Sequence, residues 1–369
     1  MFKILVLNLG GTSSKVAIYE DKNCVCDFTL RHEEEMKSSP TAAQQVPYRK
    51  ELVLNWLREQ GEKIENFDAI AARGATIAEA YQGGTYLVEG KYRELLLELY
   101  IPDMPLIHGN RIITPLSLSL VEGLNIPIYI TDPSSVNEMS DLARVSGIKG
   151  FERRGRFHAL NHRIVGRKHA EKIGKTYKEA RLVVAHMGGG ISIGAHQDGK
   201  VIDANDAGEG YGPFSPDRAG TVGTEVMLTL AYDRGLTRQQ VFRMVRGQAG
   251  LVSHLGTADL KTAEAMARDG DKYADLIVET LYYQIAKEIG FCAAVLDFDL
   301  DAVLLTGGMA YSERLVKTIT KKVQKIAPVV PYPGEFENEA LAAGAYRVLS
   351  GEEKPIILPP DAAPPKLAY

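Results

Sequence analysis

Two short stretches limit what this chain can fold into. Residues 1–19, MFKILVLNLGGTSSKVAIY, pass from an apolar segment, Ile4 to Leu7, through a polar corner, Asn8-Leu9-Gly10-Gly11-Thr12-Ser13-Ser14-Lys15, into a second apolar segment, Val16 to Tyr19. Residues 181–196 follow the same plan: an apolar segment at 181–185, the corner His186-Met187-Gly188-Gly189-Gly190, and an apolar segment at 191–196. Strand, tight turn and strand make a hairpin. Small residues at its tip leave backbone N–H groups open to an anion such as a phosphate. Neither corner is a Walker A loop, since G-x-x-x-x-G-K-[ST] is absent and a strand follows where that motif needs a helix. Asp198-Gly199 then marks a further hairpin to a strand at 201–205. One such unit near the start of each half, without close sequence repetition, predicts an α/β chain of two domains with related cores.

The 369 residues are enough for two domains, and a 45% hydrophobic content is enough to bury a core in each. A net charge of −4 argues against a nucleic-acid partner and a membrane surface. The 3 cysteines, Cys24, Cys26 and Cys292, form no C-x-x-C pair, so a disulfide framework or zinc ribbon is not expected. No apolar run reaches signal-peptide or membrane-spanning length. A soluble cytoplasmic protein is expected.

Between the hairpins, strands are expected at 24–30, 67–72 and 127–131, and helices at 51–60, 91–99 and 114–122, with 31–50 read as a polar loop and helix start. The strands at 67–72 and 127–131 run into Arg73 and Asp132, at the carboxyl ends where open α/β sheets place functional groups. The basic run 153–163 carries His158 and His162 at i and i+4. The two would share a helix face, but no third ligand stands nearby in sequence, so the basic run is read as a phosphate- or carboxylate-facing cluster rather than a metal pair. After the second hairpin, 205–220 is a Gly/Pro-rich loop of functional length. Helices follow at 221–233, 238–246, 260–269 and 275–296. The last shows an apolar stripe, Ile277, Leu281, Ile285, Ile289, Cys292 and Leu296, predicted to face a sheet. A strand at 301–305 turns through Gly307-Gly308 into a helix at 312–325, whose N-terminus would favour an anion. A helix at 335–349 and an extended, poorly ordered proline-rich tail at 355–365 complete the reading.

The three glycine turns together resemble those of the actin, hexokinase and heat-shock ATPase superfamily. Within it the chain resembles the acetate and butyrate kinase family over nearly its whole length, and its butyrate kinases most. The resemblance rests on Asn8…Gly10…Thr12-Ser13-Ser14-Lys15, Ala72-Arg73-Gly74, Thr131-Asp132-Pro133, Arg156-Phe157-His158-Ala159-Leu160-Asn161 and His186-Met187-Gly188-Gly189-Gly190-Ile191-Ser192. It continues through Gly212-Pro213-Phe214-Ser215-Pro216-Asp217-Arg218, Tyr283-Gln284-Ile285-Ala286-Lys287, Leu305-Thr306-Gly307-Gly308 and Tyr332-Pro333-Gly334-Glu335. Acetate kinases tend to carry Asn where Gly189 stands and to be longer, so the resemblance implies a larger acyl substrate. Gly11 occupies a position where the family usually has Ser.

The resemblance implies an α/β fold of two related RNase H-like, actin/hexokinase-type domains around a nucleotide cleft. The first would span 1–160 with 341–369 and take the acyl substrate; the second, 161–340, would take the nucleotide. It implies Mg²⁺-dependent transfer between ATP and a short-chain carboxylate, butyrate, giving ADP and an acyl phosphate. The transfer would be in-line, with no covalent enzyme intermediate. A carboxylate is already a nucleophile near neutral pH, so the need is for cations, not a strong base. Arg73 and Arg218 would flank the transferring group, since a guanidinium fork binds oxyanions in pairs. His158 would donate to the phosphoryl oxygens, and His186 would act there or support its turn. Asn8, Gly10, Thr12, Ser13 and Lys15, with Gly188, Gly189 and Gly190, would hold phosphates; Gly307 and Gly308 would lie against the adenosine. Asn8, Asp132 and Glu339 would hold Mg²⁺ with hard oxygen ligands. Taken singly, without the resemblance, the arginines read first as structural ion pairs and the carboxylates as capping or surface groups. Acetate, propionate and isobutyrate are the alternative acceptors. A chaperone-type ATPase would need a peptide-binding domain for which no chain remains, and a sugar kinase would need a carboxylate base. The acyl pocket is expected to be apolar and drawn from the first half. The partner expected is a small carboxylate, with no nucleic acid and no membrane, in a homo-oligomer.

Overall fold

Both glycine hairpins form in the computed structural model of the protein, and each founds its own sheet; the structure describes residues 1–10, 13–32, 41–74, 77, 82–104, 109–208 and 211–362. The chain divides into two compact units, Met1–Val136 with Phe336–Ala368, and Asn137–Glu335.

The first unit is built on strands β1 (Lys3–Leu9), β2 (Ser13–Glu20), β3 (Asn23–Arg31), β4 (Ala69–Ala72), β5 (Thr85–Leu87) and β6 (Ile128–Thr131). Their order is β3-β2-β1-β4-β6-β5. β1 pairs antiparallel with β2 and parallel with β4, which pairs parallel with β6. Every residue of β1 from Ile4 to Leu9 is buried, as a central strand covered on both faces requires. The helix Ala42–Glu59 supplies Val53, Trp56 and Leu57 to this core.

The second unit repeats the scheme with β7 (Leu182–Met187), β8 (Ile191–Gln197), β9 (Lys200–Ala204), β10 (Ala302–Gly307) and β11 (Val329–Pro333). Read in the same sense its order is β9-β8-β7-β10-β11, with β7–β8–β9 antiparallel and β7–β10–β11 parallel. The first five strands of one sheet and the five of the other share order and direction, which gives the two related cores predicted from the two glycine turns. The helix Lys272–Val295, capped by Asp271, buries its predicted stripe in one cluster with Val183, Ile193 and Val303 of the sheet. Leu281 and Tyr282 on it are core, while Tyr283 is exposed. Residues 137–160 pack within this second unit: Ser140 N donates to Ile202 O at 2.8 Å, and the buried Arg163–Glu138 ion pair closes at 2.9 Å.

Three elements depart from the sequence reading. The first helix starts at Ala42, not near 51, because Thr41 and Gln44 form a capping box and Pro47 is accommodated inside it. Gly307-Gly308 does not open directly into a helix: a 3₁₀ turn, Gly308–Tyr311, intervenes before the helix Glu313–Val323, which Ser312 caps. The start of the proline-rich tail is ordered. Ile356 N donates to Thr85 O at 2.8 Å and Ile356 O accepts from Leu87 N at 3.1 Å, so the tail lies along β5 and buries Leu358. Among the described residues no helix is long and apolar enough to cross a membrane.

Candidate active site

In the first unit the polar end of β1 is assembled by backbone pairing. Arg73 N donates to Leu7 O at 2.9 Å, extending the β1–β4 register and bringing the Arg73 side chain beside Asn8. Arg73 Nη1 donates to Asn8 Oδ1 at 3.2 Å and to Glu337 Oε2 at 3.0 Å. Asn8 Nδ2 donates to the same Glu337 oxygen at 2.9 Å and to Asn338 Oδ1 at 3.2 Å. Both Arg73 bonds use one nitrogen, and among the described residues no hydrogen bond uses its Nη2 or Nε. The remaining edge of the guanidinium can grip an oxyanion in the paired mode arginine favours.

The turn itself is closed by Gly10 N donating to Ser13 O at 2.8 Å. Thr12, with Gly11, lies outside the described residues, as does His108. Lys15 is exposed on β2. Behind the turn sits Arg49, with no exposed surface, donating from Nη1 to Gly10 O at 2.8 Å and to Ser14 Oγ at 3.3 Å. Burial lowers its guanidinium pKa to about 10. Asp132 is buried at the end of β6 with φ of 41°, in the left-handed region. Its Oδ1 accepts from Gly84 N at 2.8 Å and its own N donates to Gly84 O at 2.9 Å, which holds a non-glycine residue in that conformation. Glu339 is half-buried on the helix Glu337–Leu349, on which Glu337 is the carboxylate bonded to Arg73 and Asn8. Among the described residues no group of three or more His, Cys, Asp or Glu is placed to hold a metal ion.

In the second unit Gly188–Gly190 joins β7 to β8, with Gly188 N donating to Gly190 O at 3.1 Å. The 205–220 loop is tied onto this turn. Ser215 Oγ donates to Gly189 O at 2.6 Å, and Asn205 bridges β8 and the loop, accepting from Ile193 N and donating to Ile191 O and Tyr211 O. Arg218 is thereby laid over Gly190, where an added Cβ would come within 2.8 Å of Arg218 Cζ. Its Nη1 donates to Ala207 O, while its buried Nε has no hydrogen-bond acceptor among the described residues. Burial lowers the Arg218 pKa, against the opposing charge of Asp217. A glycine turn beneath a guanidinium with an unused N–H fits an oxyanion. A cavity of about 170 Å³ opens beside Arg218, with Asp206 and Arg246 among its polar residues and Val222, Met227 and Phe242 among its apolar ones. The sequence reading expected apolar acyl-pocket walls in the first half; this cavity lies in the second unit.

At the third turn Gly307, with φ of 87°, exchanges backbone hydrogen bonds with Gly334, both at 3.1 Å. A Cβ at Gly307 would sit 2.8 Å from Met187 N, so only glycine lets β10 end this close to β7.

His158 is the N-cap residue of the helix Ala159–Lys172, and its ring stacks on His186, centroids 3.9 Å apart. His186 Nδ1 is 2.6 Å from Asn161 Nδ2, which also donates to Thr306 Oγ1 at 3.1 Å. Burial pushes His186 down to about 4 and His196 to about 3, and holds His162 well below the ordinary 6.5. These rings are neutral in the folded chain, whereas the unfolded chain takes up protons near 6.5. Their contribution to stability is therefore complete above about pH 6.5. It falls as the pH drops from there toward 3–4, by up to about 1.4 kcal/mol per pH unit for each ring. Urea midpoints measured between pH 7.5 and 5 should decline; a flat profile would contradict neutral burial of these histidines.

The doubled core is a two-sheet α/β fold of the actin/hexokinase type. The acetokinase family model matches residues 142–329. The chain belongs to the acetokinase family of carboxylate kinases. Among solved structures, Porphyromonas gingivalis acetate kinase is similar with 19% identity and a TM-score of 0.76, over 95% of this chain and 100% of that one. A propionate kinase from Francisella tularensis subsp. tularensis SCHU S4 is similar with 19% identity and a TM-score of 0.72, over 93% and 99%. Entamoeba histolytica acetate kinase shares 15% identity with a TM-score of 0.75, over 94% and 100%. At these identities the likeness is one of fold.

Asn205, Ser215, Arg49 and Glu337 are the site residues that sequence reasoning missed. Asn205 and Ser215 stood inside a loop already marked as functional, and Glu337 stood two residues from Glu339. No local signal separated them from their neighbours.

Proposed function

We propose that the chain transfers the γ-phosphoryl group of ATP to a short-chain carboxylate, butyrate in preference to acetate, and catalyses the reverse reaction. The observation that carries the reading is Arg218 over Gly190: a half-buried cation whose buried Nε has no acceptor among the described residues, set on a backbone turn. A site of this kind stabilises oxyanions and needs no base, which suits a carboxylate acceptor. Arg73, held through one nitrogen by Asn8 and Glu337, provides a second guanidinium edge. In this reading Arg73 of the first unit and Arg218 of the second each supply positive charge to phosphate or carboxylate oxygens, and the transfer to the carboxylate oxygen is in line. His158 donates a hydrogen bond to a phosphoryl oxygen, and the glycine turns bind phosphates through backbone N–H.

The amide and carboxylate oxygens of the first unit are of the hard kind that Mg²⁺ takes. Magnesium is commonly held by one or two carboxylates together with substrate phosphates, so a dedicated cage of acids is not required. Asn8, Asp132 and Glu339 are the residues proposed to hold it, and it would neutralise phosphate charge.

The butyrate preference is supported by Gly189, where acetate kinases tend to carry Asn, and by the apolar Val222, Met227 and Phe242 beside Arg218. Acetate and propionate are the competing acceptors, as the names of the similar structures suggest. One methylene in an apolar pocket is worth only about 1–3 kcal/mol, so the ranking should be graded. Measured with acetate, propionate, butyrate, isobutyrate and valerate, kcat/KM should peak at butyrate and fall about tenfold or more at acetate. A maximum at acetate would overturn the acyl preference and leave the reaction class standing.

A further inference from the structure

Behind His158 runs a buried chain of hydrogen bonds that the proposed chemistry does not use. Tyr177 Oη is 2.8 Å from His196 Nδ1, and His196 Nε2 is 3.2 Å from His162 Nδ1. His162 Nε2 is 2.9 Å from Ser192 Oγ, and Ser192 Oγ is 2.8 Å from His158 Nδ1. His162, His196 and Ser192 have no exposed surface.

The direction of every bond in the chain follows from one contact. His162 Nε2 also lies 3.2 Å from the Ser192 carbonyl oxygen, which can only accept. The proton of His162 is therefore on Nε2, and its Nδ1 is an acceptor. His196 must then donate from Nε2 and accept at Nδ1, which makes the Tyr177 hydroxyl the donor there. On the other side, Ser192 Oγ accepts from His162 Nε2 and from the His158 backbone N at 3.3 Å. Its single hydroxyl proton is left for His158 Nδ1. With Nδ1 accepting, the His158 ring carries its proton on Nε2.

We infer that Ser192 and His162, locked by His196 and Tyr177, are positioning residues that fix His158 as the Nε2–H tautomer and so make its outer nitrogen a permanent donor. The inference rests on the reading of His158 as a donor to the transferring phosphoryl group. Neither residue touches that group; both act through the imidazole, as the carboxylate does in tautomer-setting triads. His186, stacked on His158, is set the same way if Asn161 Nδ2 donates to its Nδ1, so the two rings present like edges.

The test is long-range ¹H–¹⁵N NMR of histidine-labelled full-length protein at neutral pH, with the His158 signals assigned from His158→Gln. The expected wild-type result is a proton on Nε2 alone. Ser192→Ala should redistribute it between both nitrogens and lower kcat at least about tenfold with KM for ATP within about twofold, because a ring in the wrong tautomer cannot donate. Ser192→Thr, which keeps the hydroxyl, should retain the Nε2–H form. A wild-type proton on Nδ1, or a His158 tautomer unchanged in Ser192→Ala, would overturn the inference. The wild-type spectrum decides it even where the alanine variant does not fold. The NMR readout needs no turnover, so failure of the carboxylate kinase reading would appear separately, as absence of acyl phosphate.

Discussion

Arg218→Ala should lower kcat by about 10²–10³-fold while the protein keeps its thermal transition, because removing one preorganised donor at the transferring group costs that much. The Arg218 side chain is half-buried, its Nη1 is anchored to Ala207 O, and its buried Nε has no acceptor among the described residues. A side chain held like this has little work to do for the fold. Its ion pair with Asp217 is long, at 3.7 Å, and that carboxylate is partly exposed, so the pair adds little stability. Gly190→Ala approaches the same result from the other side, since the new methyl would displace the guanidinium. Steady-state kinetics beside a melting curve check both variants. Near-normal turnover in Arg218→Ala would remove this arginine from the mechanism.

Arg73→Ala should cost about 10²-fold in kcat, again as loss of charge stabilisation at the transferring group. The structure allows a sharper comparison. Arg73 spends one nitrogen, Nη1, on Asn8 and Glu337. Lysine has a single nitrogen, so Arg73→Lys should preserve the Glu337 ion pair and the stability but fail to restore turnover. Glu337→Gln should keep a hydrogen-bonding oxygen near Asn8 and Arg73 while removing the charge, and should lower kcat only a few-fold. Full activity in Arg73→Lys would mean that the residue serves as a point charge or a structural tie. That outcome would count against paired oxyanion recognition.

The fold was legible wherever a local pattern carries it. Glycine corners between apolar runs mark both hairpins, since a tight turn and strand periodicity are written in adjacent residues. The apolar stripe from Ile277 to Leu296 likewise announced the face that is buried. What escaped was set by distant partners. Residues 31–50 read as a polar loop and helix start, yet the capping box at Thr41 and Gln44 starts the helix at Ala42 and carries it through Pro47. The tail after Lys354 reads as extended and poorly ordered from its prolines, yet the edge of β5 gives its start backbone partners. The same holds at the site. Arg73, Arg218, His158 and Asn8 stand out through their motifs, whereas Glu337 meets Asn8 across 329 positions of sequence. Asn205 and Ser215 act by tying a loop to a turn, and the Tyr177-to-Ser192 chain is assembled from one strand, a helix and a loop. Such residues acquire a role only when the sheet order brings their elements together.

The central claim is that phosphoryl transfer from ATP goes to a carboxylate. The direct measurement incubates the protein with ATP, Mg²⁺, butyrate and hydroxylamine and quantifies acyl hydroxamate against ADP. The account predicts equimolar hydroxamate and ADP, with both absent when the acid is omitted. ADP released at the same rate without acid, and no hydroxamate, would contradict it.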